Sequence, residues 1–172
     1  MKHPLEQFKF CPKCGSDKFI VRNEKAKNCL NCGFVYYFNP SSATVALIVN
    51  EKNELLVCRR AKDPAKGTLD LPGGFIDLDE TAEEGVIREV LEETGLVVSE
   101  AIYQFSLPNL YTYSGFVVHT LDMFFVCKVK DTSHLLAEDD VAETFFLPLH
   151  EIDLEQFGLL SVRKGLERFL TR

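Results

Sequence analysis

An α/β/α sandwich on a mixed sheet, preceded by a small cysteine-clamped module, is the fold class this sequence predicts. Three observations carry that prediction. Apolar runs of strand length, beginning with Ala43–Val49 and Leu55–Arg60, alternate with two segments of helical period, Thr81–Thr94 and Leu159–Leu170. Four cysteines stand in two close pairs within the first 32 residues. At 172 residues, 46% hydrophobic and 26% charged, the chain has room for one core and a small accessory module. Asn39-Pro40 punctuates the join, so domains are assigned to 1–39 and 40–172.

The first module reads C-x2-C-x14-C-x2-C through Cys11, Cys14, Cys29 and Cys32, and each pair is followed by glycine, Gly15 or Gly33. That spacing is expected of a Zn²⁺ site. Four thiolates close a tetrahedral shell, so such a zinc is structural, with no open position for water. Paired disulfides would need an oxidising compartment. The opening Met-Lys-His-Pro-Leu-Glu has no export-signal core and no run is apolar enough for a membrane span, so the expected location is cytoplasmic. Cys58 and Cys127 sit in apolar runs and read as core residues.

Charge is unevenly placed. Residues 1–39 hold seven Lys/Arg against three acids, a balance of +4; the whole chain is −7, so residues 40–172 carry −11. An acidic body that handles phosphates needs cations between the two. The module's Phe8, Phe10, Phe19, Phe34, Tyr36 and Tyr37 are expected to build its core and the join to the next domain. The alternative use of basic and aromatic residues together is stacking on nucleic-acid bases.

In the second domain, Glu51–Glu54 makes a hairpin turn between the first two strands, and Lys62–Thr68 reads as loop. Phe75-Ile76 leads into the first helix. Strands are expected over Leu96–Phe105, Gly115–Lys130 and Phe145–Leu147, with a specificity loop over Leu107–Gly115. Thr81-Ala82-Glu83-Glu84 is a capping box that starts the helix at Thr81, and Gly95 stops it. Glu89, Glu92 and Glu93 then fall within an arc of roughly 100°, while Ile87, Val90 and Leu91 are expected to anchor the helix to the core. Carboxylates so spaced repel by roughly 0.2–0.5 kcal/mol per pair. A hard divalent cation, Mg²⁺ or Mn²⁺, reverses that sign. Gly85, on the acidic side, suits the close approach of a loop or substrate.

Gly74-x5-Glu80-x7-Arg88-Glu89-Val90-x-Glu92-Glu93-x-Gly95-Leu96 resembles the Nudix box at every fixed position, and Leu69-Asp70-Leu71-Pro72-Gly73 resembles the entry to it. The resemblance covers about residues 40–172 and implies a Nudix hydrolase. It implies metal-assisted attack of water on the pyrophosphate of a nucleoside diphosphate linked to another moiety. By the same resemblance Glu89, Glu92, Glu93 and the Gly74 carbonyl hold Mg²⁺, and Arg88 pairs with Glu80 or Glu92. The base is a box glutamate or a later one, for which Glu143 is the candidate.

A zinc ribbon before such a domain is similar to the NADH pyrophosphatase group and to ADP-ribose/FAD pyrophosphatases. At the place of the NADH group's S-Q-P-W-P-F-P-x-S this chain has Ser106-Leu107-Pro108-Asn109-Leu110-Tyr111 and no Trp at all. Tyr111 or Tyr113 is the candidate to stack on a substrate ring, and Arg59 or Lys66 to touch the pyrophosphate. NADH/NAD or ADP-ribose, releasing AMP, is the expected substrate. FAD, dinucleoside polyphosphates and NAD-capped RNA are the other hydrolytic choices, and a regulator binding nucleic acid or protein the non-enzymatic one. A homodimer is expected by analogy.

Overall fold

Alternation of side chains along buried strands builds the second half of the molecule. In a computed structural model, which describes residues 3–171, β4 (Ser41–Leu47), β5 (Glu54–Arg60) and β8 (Phe116–Val129) each send successive residues to opposite faces. Val45, Leu47, Leu55, Val57 and Phe124 enter one core; Ala46, Leu56, Phe125 and Cys127, with Ile48 just after β4, enter the other. Both faces are covered, which is why these runs read as continuously apolar. The first core is closed by α2 (Leu160–Leu170) through Val162 and Leu166, the second by α1 (Ala82–Thr94) through Val86 and Val90. At Gly165 an added Cβ would stand 2.3 Å from the Phe124 ring, so α2 needs glycine to sit this close.

The strands form two three-stranded sheets here. One has order β4-β8-β7, with β4 parallel to β8 and β7 (Val98–Tyr113) antiparallel to it. The other has order β6-β5-β9, with β6 (Leu69–Asp70) and β9 (Val141–Pro148) both antiparallel to β5. Parallel and antiparallel pairs together make the arrangement mixed.

The chain divides into two compact units between Pro40 and Ser41. Lys2, counted above among the bases, lies outside the described residues. The first unit is a three-stranded sheet, β1 (Phe19–Asn23), β2 (Ala26–Cys29) and β3 (Val35–Tyr37), in sequential antiparallel order. Its core is small: Cys11, Phe19 and Cys29, with Cys32 and Phe34 against them. Of the six aromatics expected to build the core and the join to the next domain, Phe19 and Phe34 pack in the core. Phe10, Phe8, Tyr36 and Tyr37 are exposed.

Three corrections concern the second unit. Leu107–Gly115 is not a loop: β7 runs unbroken to Tyr113, paired with β8 as far as Tyr113↔Phe116. Pro108 is tolerated because β7 is an edge strand. The turn shrinks to Ser114-Gly115, both at positive φ as a two-residue hairpin turn requires. Glu143 lies within β9 rather than before it. On α1, Ile87 and Leu91 are exposed (38% and 49%), whereas Glu93 is buried at 8%. The buried stripe runs through Val86, Val90, Glu93 and Thr94, so one carboxylate of the acidic arc falls on its edge.

Candidate active site

The glycine loop before α1 is laid along β4. Ala46 N–H donates to Pro72 O at 2.7 Å, Thr44 N–H to Gly74 O at 2.8 Å, and Ile76 N–H to Ser42 O at 3.1 Å. Gly73 has φ 145°, and an added Cβ would stand 2.1 Å from Thr44 O. Only glycine fits, and the turn aims the Gly73 N–H at Glu93, whose Oε2 accepts it at 3.0 Å. At Gly74 an added Cβ would lie 2.6 Å from the Glu89 carboxylate. Loop and acidic helix face are thus in contact.

Thr81 caps α1 through both halves of the capping box, and Gly95 ends it in the left-handed conformation with φ 71°. Gly85 meets the loop as its position predicts: a Cβ there would stand 3.2 Å from Glu80 Oε2 and 3.3 Å from Ile76. Arg88 gathers the acids. Its Nε and Nη2 donate to the two Glu80 oxygens at 2.8 and 2.9 Å, Nη1 donates to Glu89 at 2.8 Å and to Glu92 at 3.0 Å, and Nη2 also donates to Phe75 O at 2.9 Å. This geometry makes Arg88 a clamp between the helix and the 75–80 loop, with every side-chain nitrogen directed at protein.

Burial dominates the electrostatics of the two inner glutamates. Glu93 is pushed up to about 8 by burial, against the Gly73 N–H and with further repulsion from Glu89, Asp70 and Asp139. Glu89 is raised first by burial, with Arg88 opposing and Glu92 and Asp139 adding repulsion. Crowded carboxylates that resist ionisation describe a site whose charge a divalent cation would neutralise, and the donor set is all oxygen, as Mg²⁺ or Mn²⁺ requires. The Gly74 carbonyl already accepts from Thr44 and keeps one lone pair.

Asp139 is the acid that sequence reasoning passed over. Four residues before Glu143, it adds repulsion to both Glu89 and Glu93. Its segment is fixed to the end of α1 by Glu138 N–H donating to Glu93 O and Leu136 N–H to Thr94 O, at 3.1 and 2.9 Å. No periodic signal marks such a loop; only the acidic run Glu138-Asp139-Asp140 hints at it.

Arg59 and Glu143 are brought to each other. They are opposite neighbours on β5 and β9, joined at 2.8 Å, and Arg59 Nη1 also donates to Gly67 O at 3.0 Å. They line a cleft of about 530 Å³ with Leu135, Leu136, Ala137, Thr144 and Phe145.

Tyr111 stands edge-on to Phe75 with centroids 5.9 Å apart, and Tyr113 is stacked 6.5 Å beyond it. Behind Tyr111, Arg60 pairs with the buried Asp70 at 2.5 Å, donates to Pro64 O at 2.7 Å, and reaches the Tyr111 hydroxyl at 3.4 Å. Beside these rings is a small, mainly apolar recess of about 80 Å³ walled by Ala43, Val45, Leu159 and Val162, with Thr44, Asp70, Asn109, Thr120 and Asp122 also on its lining. Among the described residues the Thr44 hydroxyl is buried there without a hydrogen-bond partner.

In the first unit the four cysteine sulfurs lie within 4.8 Å of one another, with Cys11–Cys32 and Cys14–Cys29 each at 3.7 Å. A tetrahedron with Zn–S of about 2.3 Å has edges of about 3.8 Å, so the set fits Zn²⁺; a disulfide would need about 2.05 Å. Gly15 and Gly33, both at φ 72°, return their N–H groups to Cys11 O and Cys29 O, forming the two knuckles.

A profile for the NUDIX domain matches residues 39–169. The chain belongs to the Nudix family. It is 35% identical to an ADP-ribose pyrophosphatase of Methanocaldococcus jannaschii over 135 residues, 77% of this chain and 76% of the relative. It is 30% identical to the NAD-capped RNA hydrolase NudC of Vibrio cholerae and 33% to that of Haemophilus influenzae, but spans only 44% and 45% of those proteins. A crystal structure of a NUDIX hydrolase from Nitrosomonas europaea superposes with TM-score 0.74 at 25% identity, covering 95% of this chain and 90% of that one. A MutT NUDIX hydrolase from Burkholderia pseudomallei shares the fold at TM-score 0.65 and 22% identity, covering 75% of this chain and 97% of its own. This Nudix chain is accordingly a pyrophosphohydrolase by family. Among the described residues no helix is long and apolar enough to cross a membrane.

Proposed function

We propose that this Nudix chain hydrolyses the pyrophosphate of a nucleoside diphosphate linked to another moiety, with ADP-ribose or NADH/NAD as substrate and AMP as product. The observation that carries the reading is the junction of Gly73-Gly74 with Glu89, Glu92 and Glu93 under the Arg88 clamp. Mg²⁺ or Mn²⁺ is assigned to these glutamates and the Gly74 carbonyl; when bound it polarises a phosphoryl oxygen and activates water. The chain's own part is positional. Arg88 keeps Glu89 and Glu92 oriented, the Gly73 N–H fixes Glu93, and the base is assigned to a box glutamate or Glu143. Arg59, beside Glu143, is the cation offered to the pyrophosphate. Tyr111 and Tyr113 offer ring faces to the base or nicotinamide, and the small, mainly apolar recess beside them is large enough for the edge of a ring only.

The M. jannaschii ADP-ribose pyrophosphatase, matched over most of both chains, supports ADP-ribose as substrate. NAD-capped RNA is the second reading, favoured by the NudC relatives, of which this chain spans less than half. FAD and dinucleoside polyphosphates remain further hydrolytic choices. Zinc in the four-cysteine set, domains of 1–39 and 40–172, a cytoplasmic location and a homodimer complete the proposal. The test is AMP release from these substrates with Mg²⁺, Mn²⁺ or EDTA.

A further inference from the structure

We propose that one face of the cysteine-clamped unit is a docking surface for single-stranded nucleic acid. This stands independently of the hydrolase reading, since it concerns residues remote in sequence from the Nudix box.

Register defines the face. Val21 of β1, Lys27 of β2 and Tyr36 of β3 are direct cross-strand partners, so their side chains share one side of the sheet. Lys27 lies across that side: its ammonium is 5.2 Å from the Phe19 ring centroid and donates to Phe8 O at 2.5 Å. The bond brings the Phe8 carbonyl onto the same face, with Lys9 and Phe10 next in the chain. Phe10 is 63% exposed, Val21 55% and Tyr36 38%. Phe19 and Cys29 stand on the same side two residues along and belong to the unit's core, and Lys27 is buried at 7%, so the exposed part of this side is Val21 and Tyr36.

Charge selects the occupant. Lys9 is near enough to Lys27 to disfavour its charge, second to the effect of burial. Lys27 itself is buried, so the base open to a phosphate at this place is Lys9. Lys13, Lys18, Arg22 and Lys25 are also exposed, and residues 1–39 carry +4. Exposed rings interleaved with bases match a strand whose successive nucleotides each present a flat apolar face and an anion. An acidic protein would engage the charges but would leave Phe10 and Tyr36 without flat partners.

The test uses the full, zinc-loaded chain without Mg²⁺ and fluorescent 12-nucleotide RNA and DNA strands bearing a 5′-hydroxyl, so no pyrophosphate is present to occupy the Nudix site. Neutralising three phosphates gives a log–log salt slope of roughly −2, hence about 20-fold weaker binding at 200 than at 50 mM NaCl. Phe10→Ala and Tyr36→Ala are each expected to weaken binding roughly tenfold without changing that slope. Lys9→Gln with Arg22→Gln should flatten the slope instead. Zinc content and circular dichroism check that the variants remain folded. Binding to both strands assigns single-stranded nucleic acid generally, and binding to RNA alone assigns RNA; either supports the proposal. No binding at 50 mM NaCl overturns it, as does binding indifferent to both pairs of variants. Variants that change only self-association in sedimentation overturn it in favour of a contact with a second copy.

Discussion

Glu93, in the last turn of α1, accepts a hydrogen bond from the Gly73 N–H at 3.0 Å, twenty residues back in the chain. This contact joins the glycine loop to the acidic helix, and it works because only glycine can occupy position 73. The site is therefore one unit of loop, clamp and helix, which makes its parts separately testable.

Glu92→Gln and Glu93→Gln should each lower turnover by about 100-fold or more while leaving circular dichroism unchanged, since even the outer partners of metal ligands are worth roughly 10–100-fold. Retention of near-full turnover by both variants, measured with saturating Mg²⁺, would remove these residues from the site.

Glu93 also sets a pH dependence. Its folded-state pKa is raised to about 8 from 4.5, so between those values the folded, cation-free protein holds a proton that the unfolded chain has lost. Stability from this group is present below about pH 4.5 and is lost as pH rises to about 8. Thermal unfolding in EDTA should show a Tm that falls from pH 5 to pH 8, reflecting a loss of stability on the order of 2–4 kcal/mol. Glu93→Gln should flatten the fall. An equal slope in the variant would assign it to other groups.

Asp70 is buried and paired with Arg60, and burial still holds its carboxyl above the ordinary range despite that partner. Arg60→Met leaves this acid unpaired and is expected to cost about 3 kcal/mol, or a Tm drop of roughly 6–12 °C. Adding Asp70→Leu should recover part of it. Because Arg60 also backs Tyr111, the single variant should raise KM more than it lowers kcat; a pure kcat effect contradicts that link.

Zinc analysis gives a further check. One zinc per chain is expected, lost in Cys29→Ser but kept in Cys58→Ser and Cys127→Ser, whose thiols are buried in the second unit's strands. Cys14 is drawn down to about 6 by a backbone hydrogen bond from Ser16 and then by Cys32, which favours an anionic, metal-ready sulfur. Metal-free protein that retains the ribbon's NMR dispersion would contradict a structural role for zinc.

Much of this arrangement is legible in the sequence, for identifiable reasons. The capping box, the terminating Gly95 and the three glutamates are local signals, and α1 follows them closely. The cysteine spacing is local too. The errors arise where tertiary context decides. Ile87 and Leu91 read as anchors, yet the helix turns its Val86–Val90–Thr94 side inward and takes Glu93 with it. Residues 107–115 read as a loop because they stand where the NADH group carries its S-Q-P-W-P-F-P-x-S motif, but pairing with β8 extends the edge strand to Tyr113. Asp139 and the Arg60–Asp70 pair depend on approaches between distant segments, which no spacing announces.

The most direct measurement is AMP release from ADP-ribose, NADH, NAD⁺, FAD, diadenosine polyphosphates and NAD-capped RNA, each with Mg²⁺, Mn²⁺ or EDTA. Metal-dependent release of AMP from ADP-ribose or NADH, abolished by EDTA and by Glu93→Gln, is the predicted result. Absence of turnover on every substrate by folded, zinc-loaded protein, or turnover indifferent to EDTA and to Glu93→Gln, would contradict the account.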